Sequence, residues 1–150
     1  MYTINKALGG KIDDKTILQL GNGFCGGMGG GDGTCGALTG AVSILGVFLS
    51  PHDKKGLSKK KARLASKELH DKFKEEFSSI TCSDLTEEFK NKRIARKKNC
   101  QKITGVGAEI CAQIILKHRP ELALKADDNF LAQKDSKLSF ISNKLSSIFS

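Results

Sequence analysis

The segment that decides the fold is residues 21–40, GNGFCGGMGGGDGTCGALTG, which runs directly into an apolar stretch. Glycine adopts backbone conformations closed to other residues and lets the main chain approach a ligand or cluster closely. Ten glycines in twenty positions therefore indicate a built site. The same pattern also fits a flexible connector with a small hydrophobic cysteine packed beneath it.

A helix is predicted directly after these glycines. Thr34 is a suitable N-cap, the chain is then mostly apolar to about Leu49, and Pro51 stops the helix because proline cannot continue its hydrogen bonds. A helix start near Cys35 aims unpaired N–H groups at that sulfur, so we expect a lowered pKa for this thiol. The apolar stretch is shorter than the roughly 20 residues that span a bilayer, which predicts a buried central helix.

Small residues repeat along this central helix. Gly36 and Gly40 lie four residues apart, as do Ala37 and Ala41. Residues four apart share one face of a helix, so these pairs form small-residue faces. We expect another helix to pack closely there.

The other elements are also predicted to be helical. No strand-like alternation or hairpin dipeptide stands out, and the sequence predicts an all-α fold, a compact helical bundle whose glycine-rich loop leads into the central helix. The predicted segments are a helix over 14–20 capped by Asp13, a helix opening at Ser58, and a helix over 99–118 ended by Pro120. Between the last two, residues 80–89 carry Cys82 and are predicted to form a short helix or turn with Ser83 as its cap.

Length and cysteine content limit the organisation and location. The 150 residues suit one helical domain, 1–120, followed by an amphipathic or partly disordered tail, 121–150. The N-terminus has no secretory signal, and an odd number of cysteines, five, argues against a full disulfide framework. We therefore expect free thiols in a cytoplasmic protein.

The net charge of +9 provides an alternative function. Basic runs 54–63 and 90–98 lack the interleaved aromatic residues of a base-stacking surface, so we expect solvated helix faces and no specific nucleic-acid recognition. The alternative is a non-catalytic basic module that binds an acidic partner, a membrane surface or nucleic acid non-specifically. Peripheral membrane contact would use the apolar residues of the tail, Phe130, Phe140, Ile141, Leu145, Ile148 and Phe149.

The cysteines are spaced as single residues. No CxxC pair occurs, which excludes a zinc ribbon, a thioredoxin-type site and a haem attachment motif. Four of them lie near predicted helix starts and can converge into one thiolate site: Cys25, Cys35, Cys82 and Cys100. Cys111 follows Cys100 by eleven residues, about 16 Å along a helix, and is interpreted as a core residue.

Three stretches resemble the C-GCAxxG-C-C family of redox-active proteins over residues 18–116. They are GFCGGMGGGDGTCGALTGAV from Gly23, TCSDL from Thr81 and NCQKITGVGAEI from Asn99. The hallmark CGAxxG spans residues 35–40 and follows the family's GGMG. The resemblance implies a small, mostly helical, cytoplasmic protein in which four cysteines form a redox-active or metal-binding site.

Position by position, the resemblance implies that Cys35, Cys82 and Cys100 are redox thiols. The family's fourth cysteine lies upstream of the glycine loop, where this chain has none. Either the start is truncated relative to relatives, or Cys25 supplies the fourth thiolate of a metal site made with those three cysteines. The glycines expected to approach a cofactor are Gly26, Gly27, Gly29, Gly36 and Gly40.

The leading hypothesis is a cysteine-based metal or iron–sulfur protein that acts in electron transfer or thiol redox chemistry. A similar module occurs in a multihaem cytochrome that also carries an iron–sulfur cluster, and thiolates select soft metals, so an iron–sulfur cluster is the first cofactor and zinc the alternative. Without metal, two thiols would cycle between dithiol and disulfide. The redox partner, enzymatic activity and a homodimer that completes the site stay open.

Overall fold

The chain folds as a helical bundle in a computed structural model that describes residues 1–52, 54–127 and 130. Within those residues there is no β-strand, so the predicted all-α class is confirmed. The α-helices are α1 (Tyr2–Ala7), α2 (Asp14–Gly21), α3 (Cys25–Met28), α4 (Gly36–Leu49), α5 (Lys59–Phe77), α6 (Cys82–Thr86) and α7 (Arg93–His118). Short 3₁₀ helices span Asn22–Phe24, Glu87–Phe89 and Pro120–Lys125.

The long helices α4, α5 and α7 pack against one another around the core. Helix α4 is apolar on nearly every side, as expected for a helix enclosed by its neighbours. Gly107 of α7 lies against Phe73 of α5, where a Cβ atom would be 3.3 Å from the ring. The fully buried side chains at the centre include Ile44, Leu45, Leu49, Leu69, Phe73, Ile114 and Ile115.

Local signals locate several helix ends correctly. The side chain of Asp13 accepts a hydrogen bond from the Thr16 N–H at 3.0 Å and caps α2. Ser58 caps α5, and α4 ends at Leu49, two residues before Pro51. These predictions are confirmed.

Other predicted ends are wrong. The N-cap of α4 is Cys35 rather than Thr34, and the N-cap of α6 is Thr81 rather than Ser83. Helix α7 begins at Arg93, six residues before the predicted start, because the basic run contains good helix formers and no glycine or proline.

The predicted C-terminal tail is only partly described. Residues 120–125 form a 3₁₀ helix with a buried Leu122, and Phe130 contacts the ring of Tyr2 edge-on at a centroid distance of 6.2 Å. The other apolar tail residues named above lie outside the described residues, and the division at residue 120 stays a prediction. No helix within the described ranges has both the length and the apolar character needed to cross a bilayer.

Candidate redox site

A short antiparallel bridge brings Cys35 and Cys82 together. The bridge pairs Thr34 with Thr81, and each cysteine directly follows a bridge residue. Their N–H groups donate to carbonyls of the opposite segment at 2.7 Å and 3.1 Å. In this register the two cysteines are diagonal neighbours on one face, with Cα atoms about 7–8 Å apart. Sequence reasoning missed this pairing because a single bridge leaves no strand pattern.

Two glycines allow the chain to close around this bridge. At Gly27, where φ is +69°, a Cβ atom would lie 2.6 Å from the Gly33 carbonyl oxygen and 2.8 Å from the Cys82 Cβ. At Gly36, a Cβ atom would lie 2.4 Å from the carbonyl oxygen of Phe24. Real Cβ atoms do not approach other atoms this closely, so glycine is required at both positions.

The other predicted cofactor glycines have different surroundings. Gly26 and Gly29 have φ values of +72° and +70°, and a Cβ atom at either position would meet nothing within 4 Å. Gly40 faces the side chain of Met1, whose nearest atom would lie 3.4 Å from a Cβ atom added at this glycine. Contact of any of these glycines with a cofactor stays a prediction.

Asp32 connects the glycine segment to the turn that carries Cys82. Its carboxylate accepts a hydrogen bond from the backbone N–H of Ser83 at 2.7 Å. This bond satisfies one of the unpaired N–H groups at the start of α6. The sequence alone favours an ordinary turn aspartate at this position. The one sequence signal for a structural role is its position among glycines, shortly before Cys35.

Cys100 joins the site from α7. It lies two turns into the helix rather than in the predicted first turn, and the neighbouring Asn99 side chain donates to the Leu85 carbonyl at 2.8 Å, which ties α7 to the segment after α6. Burial raises the pKa of the Cys100 thiol, and so do the nearby thiolates of Cys82 and Cys35. Arg96 lowers this pKa by less, and Cys25 raises it slightly.

Each of these four cysteines therefore belongs to one electrostatic neighbourhood, named here the cysteine cluster (Cys25, Cys35, Cys82 and Cys100). All four are free thiols; Cys25 and Cys100 are exposed, Cys35 is half-buried and Cys82 is buried.

The expected direction of the Cys35 pKa is wrong. Burial raises the pKa of this thiol, while hydrogen bonds from the backbone N–H groups of Ala37 and Leu38 lower it, and the nearby Cys82 raises it further. The helix start does present donors to the sulfur as predicted, but the cost of burying a thiolate outweighs them.

Cys111 is a core residue, as the helix spacing predicted. It is fully buried, and its thiol donates to the Ala41 carbonyl at 3.3 Å. Burial raises its pKa to about 12. The small-residue face at Ala41 thus admits close packing of α7, as expected, whereas Gly36 and Gly40 admit Phe24 and Met1 instead of a helix.

A groove of about 910 Å³ opens between α1, α2, α4 and α7, and we name it the thiol groove. Cys25 and Cys100 both line it, so two members of the cysteine cluster face the same space. Its volume is typical of pockets for small molecules. Sequence reasoning did not predict the groove because its walls come from distant parts of the chain.

The residues fit a metal or cluster in donor type but not in arrangement. Four thiolates are the ligands that soft metals and iron–sulfur clusters prefer. Among the described residues, however, no three His, Cys, Asp or Glu side chains are placed so that they can hold one metal ion. The metal role of the cysteine cluster stays a prediction, and we derive no step through a metal.

The comparison with known families identifies the family of this chain. No curated protein and no solved structure matches the chain. The model of the family described as "Putative redox-active protein (C_GCAxxG_C_C)" matches residues 1–114, which is more than half of the sequence and includes the cysteine cluster. The chain therefore belongs to the C_GCAxxG_C_C family.

Proposed function

We propose that the cysteine cluster is a redox centre that exchanges electrons by thiol–disulfide chemistry. The observation that carries this proposal is the placement of four thiols from distant segments. One bridge brings Cys35 beside Cys82, and Cys25 and Cys100 line the same groove. The membership of this chain in the C_GCAxxG_C_C family agrees with a redox role for these thiols. Thiolates attack disulfides and become oxidised in pairs, so a cluster of free cysteines supplies all the groups that this chemistry needs.

The two exposed thiols are the entry point of the proposed centre. Cys25 and Cys100 are open to the thiol groove, whereas Cys82 is buried. The diagonal spacing of Cys35 and Cys82, about 7–8 Å between Cα atoms, exceeds the usual range of a disulfide. A bond between those two requires movement of the bridge, so oxidation begins at the exposed pair.

The test is a count of reversible disulfides. The reduced protein is exposed to a mild oxidant, its remaining thiols are alkylated, and each cysteine is scored by mass spectrometry. We expect two cluster thiols to disappear together and to return with a dithiol reductant, while Cys111 stays reduced. Cys111→Ala is the matched control and should behave as the parent. Oxidation that leaves all four cluster thiols free would contradict the proposal. So would oxidation that proceeds as fast in Cys25→Ser and in Cys100→Ser as in the parent.

Metal or iron–sulfur binding is the second candidate. The other three cluster thiolates raise the pKa of Cys100 because like charges repel one another. A bound cation would relieve this repulsion, which favours the metal candidate. It requires a rearrangement of the side chains from their placement here. Anaerobic purification followed by iron, zinc and sulfide analysis and a visible spectrum tests it. Stoichiometric metal that is lost in Cys35→Ser supports this candidate, and metal-free protein contradicts it.

A further inference from the structure

We infer that the thiol groove binds small anionic disulfides with an apolar body and presents them to Cys25. This inference rests on the proposed thiol–disulfide function and names the class of substrate. It is based on three properties of the groove: the thiols in its wall, its apolar surface and the sign of its charge.

The wall of the groove is mostly apolar. It includes side chains of α1, α2 and the segment before α3, among them Ile4, Ile17, Leu18 and Phe24. Leu18 is 60% exposed, although Ile4 and Ile17 on the same wall are buried. A ligand with an aromatic or aliphatic body would cover this surface and gain the free energy of removing it from water.

The charge of the groove has one sign. Lys97 and Lys102 line it, and none of its described lining residues is an aspartate or glutamate. Within the described part of the chain, neither lysine forms an ion pair. Two unpaired cations beside an apolar wall favour a ligand that carries a carboxylate or phosphate next to its apolar body.

The thiols define the reaction. The Cys25 thiolate attacks one sulfur of the bound disulfide R–S–S–R, a Cys25–S–S–R bond forms, and R–S⁻ leaves with the electron pair of the broken bond. The Cys100 thiolate then attacks the Cys25 sulfur and releases the second R–S⁻. Two electrons pass from the cysteine pair to the substrate, and the protons of the two thiols end on the released thiols. An external dithiol reductant restores the pair.

The test compares two aryl disulfides that differ in charge. Dithiobis(nitrobenzoate) is anionic and dithiodipyridine is neutral, and each releases a product that is followed by its absorbance, nitrothiobenzoate or thiopyridone. The rate at Cys25 is the phase that disappears in Cys25→Ser. It is measured for the parent, for Lys97→Gln with Lys102→Gln, and for a control of equal charge change on α5, Lys59→Gln with Lys74→Gln, whose residues do not line the groove.

We expect the ratio of anionic to neutral rate to fall by about fivefold or more in the groove variant at low salt and by less than about twofold in the control. An unchanged ratio, or an equal fall in both variants, would overturn the inference. Failure of the proposed function is distinguishable from this result, because that function is tested by counting intramolecular disulfides and not by the charge preference of the groove.

Discussion

Replacement of Gly27 by alanine tests whether the backbone of the glycine segment positions Cys82. The added methyl group would lie 2.6 Å from the Gly33 carbonyl oxygen and 2.8 Å from the Cys82 Cβ. A carbonyl oxygen cannot rotate away as a flexible side chain can, so the turn or the bridge must move. We expect Gly27→Ala to destabilise the protein and to shift Cys82 away from Cys35.

The magnitude follows from two costs. An L-residue in the left-handed region costs roughly 1–2 kcal/mol, and overpacking a filled site costs about 1–3 kcal/mol more. The restriction of the unfolded chain returns about 0.4–1 kcal/mol. The net loss expected for Gly27→Ala is therefore about 1–5 kcal/mol. Gly26→Ala is the matched control, because φ there is +72° and nothing lies within 4 Å, so that only the conformational cost remains.

The assay is urea unfolding of both variants, combined with the alkylation rate of Cys82 in the folded state. We expect Gly27→Ala to lose at least about 1 kcal/mol more than Gly26→Ala and to expose the Cys82 thiol. Equal losses in the two variants would refute the argument, because they would show that the close contacts with Gly33 and Cys82 add nothing to the conformational cost.

Three further perturbations test other contacts. Since burial raises the pKa of Cys111 to about 12 from an ordinary 9.0, the folded state holds this proton and stability falls as pH rises above 9. Between about pH 8 and about pH 10, the free energy of unfolding measured in urea should fall by about 1.4 kcal/mol more in the parent than in Cys111→Ala. Arg119→Met removes a 3.0 Å hydrogen bond to the buried Phe48 carbonyl and should cost about 1–3 kcal/mol in the same assay. Burial alone would raise the pKa of Glu68, but hydrogen bonds from Lys117 and a second lysine leave it lowered. The contribution of the Glu68 carboxylate to stability is thus present at neutral pH and is lost as pH falls through the folded pKa. Glu68→Gln should lower the free energy of unfolding by less than about 1 kcal/mol, and this loss should become smaller as salt is added.

The parts of the fold that were predictable depend on local signals. Asp13 and Ser58 cap helices because their own side chains reach N–H groups three residues ahead. Pro51 ends α4 by covalent geometry alone. The apolar character of α4 likewise requires burial in any arrangement of the bundle. Each of these signals is complete within a few residues, so sequence reasoning suffices.

The parts that failed depend on distant partners. Thr34 has the chemistry of an N-cap, but its backbone pairs with Thr81, and the cap position passes to Cys35. The pKa of Cys35 could not be predicted from its helix start alone, because burial is decided by the whole bundle. The start of α7 was missed for a different reason: the helix was predicted to begin only at residue 99, although the basic residues before it have a high helix propensity.

The combination of glycines and cysteines in this chain has a structural explanation in the described residues. Gly36 admits the carbonyl of Phe24, which immediately precedes Cys25, so a side chain at position 36 would displace that cysteine. Gly27 admits the segment next to Cys82 in the same way. Each of these glycines therefore positions a cysteine that lies elsewhere in the sequence. A substitution at either site should alter the reactivity of the distant thiol more than that of its own neighbour. That result would make the glycines part of the proposed redox centre through the backbone.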